Sequence, residues 1–137
     1  MNRTEAREAV FELLFETEFR TEEAAEEIFG SSTENREIEV NDYIRNAYFG
    51  VIEHLAEIDE MITRHSRGWK VTRIAPVTRS ILRLAIFEML YCKDIPETVS
   101  INEAIELCKK FDHEKARAFL NGVLNGAKDE ILAARNG

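Results

Sequence analysis

Apolar residues recur every three or four positions along most of this chain, and that spacing is the feature that most limits its fold. In the clearest stretch the apolar positions advance by three, four, four, three and four residues, at Ile44, Ala47, Val51, Leu55, Ile58 and Ile62. This spacing places one apolar stripe along a helix and predicts a single long α-helix over about Val40–His65. No segment shows the sustained alternation that is typical of a β-strand. The pattern predicts an all-α fold.

Breaker and cap residues predict the helices of the N-terminal half. The first helix is predicted over Arg3–Thr17, where apolar residues again form a stripe. Thr21 is placed to cap a short helix over Glu22–Phe29 that stops at Gly30. The polar stretch SSTENRE that follows is predicted to be a loop.

Similar signals divide the C-terminal half. Pro76 suits the first turn of a helix that is apolar almost all round, which marks it as central and buried. Ser100 and Glu103 have the spacing of a capping box for a helix over Ile101–Phe111. Asp112 is placed to cap the last helix. A chain of 137 residues suits one domain, or two small subdomains that share a core.

An acid-free, basic segment interrupts an otherwise acidic chain. The chain has 26 acidic residues, 18 basic residues and a formal net charge of −8, yet no carboxylate occurs between Met61 and Phe87. Six basic residues fall in this window: Arg64, Arg67, Lys70, Arg73, Arg79 and Arg83. Charges are screened beyond about 8 Å at cellular salt, so a local basic patch can bind phosphate despite the negative total. The acidic remainder suits a basic protein partner.

The side chains that most enzymes rely on are scattered in this sequence. His54, His65 and His113 do not have the spacing of ligands to one metal ion. Cys92 and Cys108 do not form a Cys-x-x-Cys motif and are predicted to be buried thiols. There is no Gly-rich phosphate loop, no Gly-x-Ser-x-Gly and no His-Glu-x-x-His. The sequence therefore predicts a binding or scaffolding protein that is not an enzyme, with no catalytic residues, metal or cofactor.

Nothing in the sequence indicates a membrane or an export signal. No apolar run approaches the roughly 18 residues that a membrane span requires. The segment Met1–Phe15 mixes charged and apolar residues and lacks the apolar block of a signal peptide. We therefore predict a cytoplasmic protein with no membrane association.

Several motifs occur in order along the chain. The N-terminus carries AREAVFELLF (Ala6–Phe15), and the second half carries ILRLAIFEML (Ile81–Leu90), DIP (Asp94–Pro96), INEAIELCKKF (Ile101–Phe111) and FLNGVLN (Phe119–Asn125). Together they make the chain resemble the NusB family of bacterial transcription antitermination factors. The resemblance covers nearly the whole chain, and the combination of INEAIEL with FLNGVL is specific.

This resemblance implies an all-α fold of about seven helices in a single NusB-like domain over residues 1–137, with two packed subdomains at about 1–70 and 71–137. It implies binding to the boxA segment of nascent RNA together with NusE, a small-subunit ribosomal protein. The pair joins the antitermination complex of RNA polymerase and supports transcription of ribosomal RNA operons. A monomer or a homodimer is expected. Two alternatives stay open: a helical protein-interaction module or homodimer that binds no RNA, and a helical domain of an RNA-modifying enzyme.

Six basic residues are predicted to contact RNA: Arg3, Arg7, Arg67, Lys70, Lys115 and Arg117. The resemblance points to the two arginines of the opening helix, which lie four residues apart and share a helix face. The alternative for that pair is weak surface ion pairing with neighbouring glutamates. Arg67 and Lys70 belong to the acid-free segment, and a solvated turn that makes no RNA contact is an equal alternative for them. Lys115 and Arg117 extend a basic edge at the start of the final helix. Trp69 and Phe119 are predicted to pack in the core.

The central helix is predicted to carry the contact with the protein partner. The residues assigned to this contact are Thr78, Arg79 and Glu88, and the family often has an acid at the position of Thr78. Arg79 and Arg83 lie on an otherwise apolar helix, where a partly buried arginine usually needs an anionic partner. Glu103 or Glu106 is the predicted ion-pair partner for these arginines.

Overall fold

The computed structural model describes residues 1–136, which form seven α-helices and no β-strand. The helices are α1 (Arg3–Thr17), α2 (Ala25–Asn35), α3 (Asp42–Glu53), α4 (Leu55–His65), α5 (Pro76–Tyr91), α6 (Glu97–Phe111) and α7 (Ala116–Asn136). A single 3-10 turn, Val71–Arg73, lies between α4 and α5. The predicted all-α fold of about seven helices is confirmed.

Local sequence explains where α1, α3 and α5 begin. Asn2 and Glu5 form a capping box, in which the Glu5 N–H donates to Asn2 Oδ1 at 2.8 Å and the Asn2 N–H donates to Glu5 Oε1 at 3.0 Å. Asn41 caps α3 by accepting a hydrogen bond from the Ile44 N–H at 2.8 Å. Pro76 occupies the first turn of α5, as predicted.

The second helix differs from its prediction at both ends. It begins at Ala25 without a side-chain cap, so Thr21 does not cap it, and it continues past Gly30 to Asn35. The SSTENRE stretch, predicted to be a loop, is therefore mostly helical. Thr33 Oγ1 donates to a backbone carbonyl one turn earlier at 2.7 Å, which satisfies this buried hydroxyl within the helix.

The capping predictions for the last two helices are also wrong. Ser100 lies inside α6, which already begins at Glu97, and its hydroxyl donates to Glu88 at 2.8 Å instead of capping a helix. Asp112 ends α6 and lies outside α7. Its carboxylate accepts a hydrogen bond from Thr78 Oγ1 at 2.5 Å, so this residue ties the end of α6 to the start of α5.

The predicted long helix is in fact two helices. Between the end of α3 at Glu53 and the start of α4 at Leu55, His54 has non-helical backbone angles of φ −103° and ψ 22°. Its ring stacks on that of Tyr91, with 4.1 Å between the ring centroids. The apolar spacing continues across this break because one irregular residue barely shifts the stripe. Spacing alone therefore does not reveal the break.

Helix α5 is the centre of the fold, as its apolar sequence predicts, and it packs against α1, α3, α4, α6 and α7. One hydrophobic core includes residues from both predicted subdomains: Ile44 and Ile62 from the first and Ile81 and Leu120 from the second have no exposed surface. Within the described residues, no helix has the length and apolar character needed to cross a bilayer.

Gly50 allows α3 to approach α5 closely. A Cβ added at this position would lie 2.3 Å from the ring of Phe87. We therefore expect Gly50→Ala to lower the free energy of unfolding, measured by urea denaturation, by about 1–3 kcal/mol. Gly30→Ala is the matched control, since nothing lies within 4 Å of its added Cβ. That variant should gain up to about 1 kcal/mol from better helix propensity, and a similar loss in both would contradict the prediction.

Candidate nucleic-acid interface

The cations of this chain fall into two equal groups. Nine of the 18 lysines and arginines have a carboxylate oxygen within 4.0 Å. The other nine have no such partner among residues 1–136, and they are Arg3, Arg45, Arg67, Lys70, Arg73, Lys93, Lys115, Arg117 and Lys128. Of the six residues predicted to contact RNA, only Arg7 is ion-paired. The unpaired cations are the ones available to an anionic ligand.

Three unpaired cations lie in the segment between α4 and α5. Arg67, Lys70 and Arg73 are exposed there, and the chain turns sharply because Arg67 has φ 50° and Gly68 has φ 88°. Glycine adopts such left-handed angles freely, whereas arginine does so at a cost. This turn directs Trp69 outward, and 54% of its surface is exposed. The prediction that Trp69 packs in the core is therefore wrong.

Trp69 lies on one wall of a groove of about 370 Å³, which we call the junction groove. Arg67 and Trp69 line it from the α4–α5 segment, and Ala118, Phe119 and Gly122 line it from α7. Phe119 is half-buried, so its ring packs against the core and also borders the groove. The groove combines aromatic rings with a free cation, an arrangement that suits stacked bases and a phosphate backbone.

The predicted basic edge of α7 comes just before the residues of that helix that line the groove. Lys115 is exposed immediately before the helix, and Arg117 is half-buried in its first turn, two residues before Phe119. Within residues 1–136, the buried Arg117 Nε has no hydrogen-bond partner. A buried guanidinium nitrogen is normally hydrogen-bonded. The Nε of Arg117 is therefore an unsatisfied donor inside the described part of the protein.

Arg3 lies at a distance from the junction groove. Helices α1 and α6 run parallel, since Thr4 contacts Glu103 and Glu8 contacts Lys110. Arg3 therefore lies beside the N-terminal half of α6, whereas Lys115 follows the other end of that helix. The 15 residues of α6 are about 20 Å long. The structure thus places Arg3 in one region and the other unpaired cations that were predicted to contact RNA in another.

Arg7 belongs to the core. It is 4% exposed, and its Nε donates to Glu88 Oε2 at 2.7 Å. Burial opposes the charged form, but the hydrogen bond and the charge of Glu88 outweigh it and raise the pKa of Arg7. The Glu88 carboxylate also accepts hydrogen bonds from Tyr43 and Ser100. The prediction that Arg7 contacts RNA does not fit this burial. The alternative, a weak ion pair at the surface, does not fit either, because the ion pair of Arg7 with Glu88 is buried.

The residues predicted to bind the protein partner face inward as well. Glu88 is 1% and Thr78 4% exposed. Arg79 donates to both carboxylate oxygens of Glu18 at 2.7 Å and to two backbone carbonyls. Arg83 also pairs with Glu18, and with Asp59 at 2.8 Å. The predicted pairing of Arg79 and Arg83 with glutamates of α6 is therefore wrong. Thr78, Arg79 and Glu88 stabilise the fold from below the surface.

Phe19 is an exposed side chain that sequence reasoning missed. It lies just beyond α1 with 64% of its surface exposed, and its ring meets that of Phe15 edge-on at 5.0 Å. Phe15 in turn stacks on buried Phe11. The four-residue spacing of these phenylalanines was the available signal. Their row ends at the exposed ring of Phe19, next to Glu18.

The sequence profile of the NusB family matches residues 4–129 of this chain. The chain belongs to the NusB family. The transcription antitermination protein NusB of Bacillus subtilis strain 168 is 43% identical over 131 residues, which cover 96% of this chain and 98% of that protein. The resemblance recognised from the sequence motifs is confirmed.

Solved structures agree with membership of the NusB family. T. maritima NusB matches with a TM-score of 0.83 at 36% identity, covering 95% of this chain and 92% of that one. A chain from the crystal structure of antitermination factors NusB and NusE in complex with dsRNA matches with a TM-score of 0.83 at 29% identity. That match covers 93% of this chain and 96% of the other.

The burial of Arg7 in this NusB-family chain predicts a structural role. Arg7→Met leaves the buried Glu88 carboxylate without its cation, and we expect it to lower the free energy of unfolding by about 3–5 kcal/mol. Arg36→Met is the matched control, since the side chain of Arg36 is 37% exposed in its ion pairs with Glu12 and Glu16. This variant should lower the free energy of unfolding by at most about 1 kcal/mol. Chemical denaturation measures both, and a loss for Arg7→Met no larger than the control would contradict this assignment.

Proposed function

We propose that this chain is a transcription antitermination factor without catalytic activity. It binds the boxA segment of nascent RNA together with NusE in the antitermination complex of RNA polymerase, in the bacterial cytoplasm, and supports transcription of ribosomal RNA operons. Membership of the NusB family and the antitermination function named for its relatives support this proposal. The single observation that carries it is the presence of unpaired cations around an aromatic groove in a chain with 26 acidic residues.

The junction groove offers both kinds of contact that single-stranded RNA needs. Arg67, Lys70, Lys115 and Arg117 supply charge for phosphates, which provides most of the affinity and makes binding dependent on salt. Trp69, with Phe119 on the opposite wall, supplies a flat apolar surface for an unstacked base. Such stacking is worth about 1–3 kcal/mol per base. Arg3 adds a separate phosphate contact near the start of α6.

A basic protein partner resolves the conflict between RNA binding and a net charge of −8. The negative field of the chain opposes RNA at long range, and a partner rich in lysine and arginine offsets it. The exposed Phe19 and the adjoining Phe15 are the proposed apolar contact for NusE. Beneath them, Glu18 holds Arg79 and Arg83 in place.

A second candidate function is a helical protein-interaction module, or a homodimer, that binds no RNA. The net charge of −8 and the exposed Phe19 favour this alternative, because both are compatible with a protein contact whether or not RNA is present. The unpaired cations around the junction groove have no role in it.

Titration of labelled boxA RNA, with and without NusE, tests the proposal. We expect weak binding by this chain alone, tighter binding by the pair, and an affinity that falls steeply as salt is raised from about 50 to 200 mM. An RNA of the same length with a scrambled boxA sequence is the control and should bind more weakly. No binding in either arm would favour the protein-only module.

The strained turn at Arg67 provides a test that separates RNA binding from stability. The left-handed conformation costs a non-glycine residue about 1–2 kcal/mol. Arg67→Gly should therefore leave stability unchanged or raise it by up to about 1 kcal/mol, while RNA affinity falls and the salt slope drops by about one.

Glu37 is the matched control for this variant. It has φ 53° and is exposed, but it carries no positive charge. Glu37→Gly should relieve similar strain and leave RNA affinity unchanged. If Arg67→Gly binds RNA as tightly as the wild type and with the same salt slope, Arg67 does not contact RNA.

A further inference from the structure

The position of Arg3 is set by an aromatic ring. Its guanidinium carbon lies 4.3 Å from the centroid of the Tyr43 ring, within the range of a cation–π interaction. No carboxylate among residues 1–136 pairs with Arg3. Glu5, the acid nearest to it in sequence, instead accepts the hydrogen bond from the N-cap. The ring of Tyr43 is therefore the contact that holds this otherwise free cation.

Tyr43 is itself anchored to the core. Its hydroxyl donates to Glu88 Oε2, the same oxygen that accepts from Arg7 Nε at 2.7 Å. Ser100 donates to the other oxygen of Glu88 at 2.8 Å. The ring is thus tied at its far end to a carboxylate with 1% exposure, while its face remains in contact with Arg3.

The hydrogen bond to Glu88 also affects how strongly the ring attracts a cation. A phenol that donates to a carboxylate is polarised, which makes its ring more electron-rich and strengthens its negative face. Burial and the neighbouring Glu88 carboxylate raise the pKa of Tyr43 well above its usual range, so the phenol keeps its proton and continues to donate. The core carboxylate therefore supports the ring in both orientation and charge.

We propose that Tyr43 is a positioning residue for RNA binding, which holds the Arg3 guanidinium over its ring face so that the cation is pre-oriented toward a phosphate of the bound strand. This inference rests on the proposed function, because it requires Arg3 to meet RNA. It assigns Tyr43 no RNA contact of its own. The ring also lies 5.9 Å from the guanidinium carbon of buried Arg7. Its effect on RNA affinity, in contrast to its effect on stability, is exerted through Arg3, and that property can be tested.

A double-mutant cycle on RNA affinity makes this test. Labelled boxA RNA is titrated across salt, in the presence of NusE, with the wild type, Arg3→Ala, Tyr43→Leu and the double variant. A cation–π contact at an exposed site is worth a factor of about two to five in affinity. Tyr43→Leu should lose about that factor. Arg3→Ala also removes the phosphate contact, so it should lose at least as much and show a reduced salt slope, and the double variant should lose no more than Arg3→Ala alone.

Two further variants separate the ring face from the hydrogen bond and cover the case in which Tyr43→Leu does not fold. Tyr43→Phe keeps the ring face and removes the donor to Glu88, so it should lower thermal stability and weaken RNA binding by less than Tyr43→Leu does. Pentafluorophenylalanine at residue 43 keeps the ring shape and reverses the charge of its face. The variant that carries it should bind RNA as weakly as Tyr43→Leu.

Each other result overturns the inference. If Tyr43→Leu lowers RNA affinity by the same factor in the wild type and in Arg3→Ala, Tyr43 acts through a group other than Arg3. If Arg3→Ala binds RNA with unchanged affinity and salt slope, Arg3 does not contact RNA and the inference fails. The proposed function would still stand in that case, provided that the wild-type protein binds the RNA. Absence of wild-type binding to RNA would overturn the proposed function and this inference together.

Discussion

The buried carboxylate of Glu88 is the interaction on which the arrangement of the helices depends. It sits on the central helix α5 and accepts hydrogen bonds from Arg7 on α1, Tyr43 on α3 and Ser100 on α6. A buried charge is tolerated only when it is paired and its lone pairs are satisfied. These three donors meet that requirement only in one relative placement of four helices. The carboxylate therefore specifies how the helices pack. Apolar contacts alone are less directional and would specify this packing less strictly.

The same principle explains which cations are left for a ligand. Arg79 and Arg83 emerge from an apolar helix, and Glu18 and Asp59 neutralise them. Cations on the α4–α5 segment and at the start of α7 have no acid within reach among residues 1–136. Cations that emerge among core residues are therefore neutralised by acids from other helices, whereas those on the α4–α5 segment and at the start of α7 keep an unpaired charge. This division also allows an acidic chain to keep a basic surface.

Sequence reasoning succeeded for features set by neighbours along the chain and failed for those set by distant contacts. Apolar spacing predicts the helices and the central position of α5, and the acid-free window predicts free charge at Arg67 and Lys70. The pairing of Arg7 with Glu88 joins residues 81 positions apart, so no local pattern reveals it. The outward turn of Trp69 depends on left-handed backbone angles at the two residues before it, which periodicity does not encode.

The separation of Arg3 from the junction groove has a consequence for how RNA would be held. Arg3 is a single cation and the junction groove offers only a few, and the total charge of −8 opposes the strand, so we expect neither region alone to bind tightly. A strand that reaches both regions makes the second contact intramolecular, and the two contacts reinforce each other. That gain depends on the strand spanning the distance between the two regions and on Arg3 being held in place before the strand arrives. An acidic protein can in this way select a strand of sufficient length without a continuous basic face.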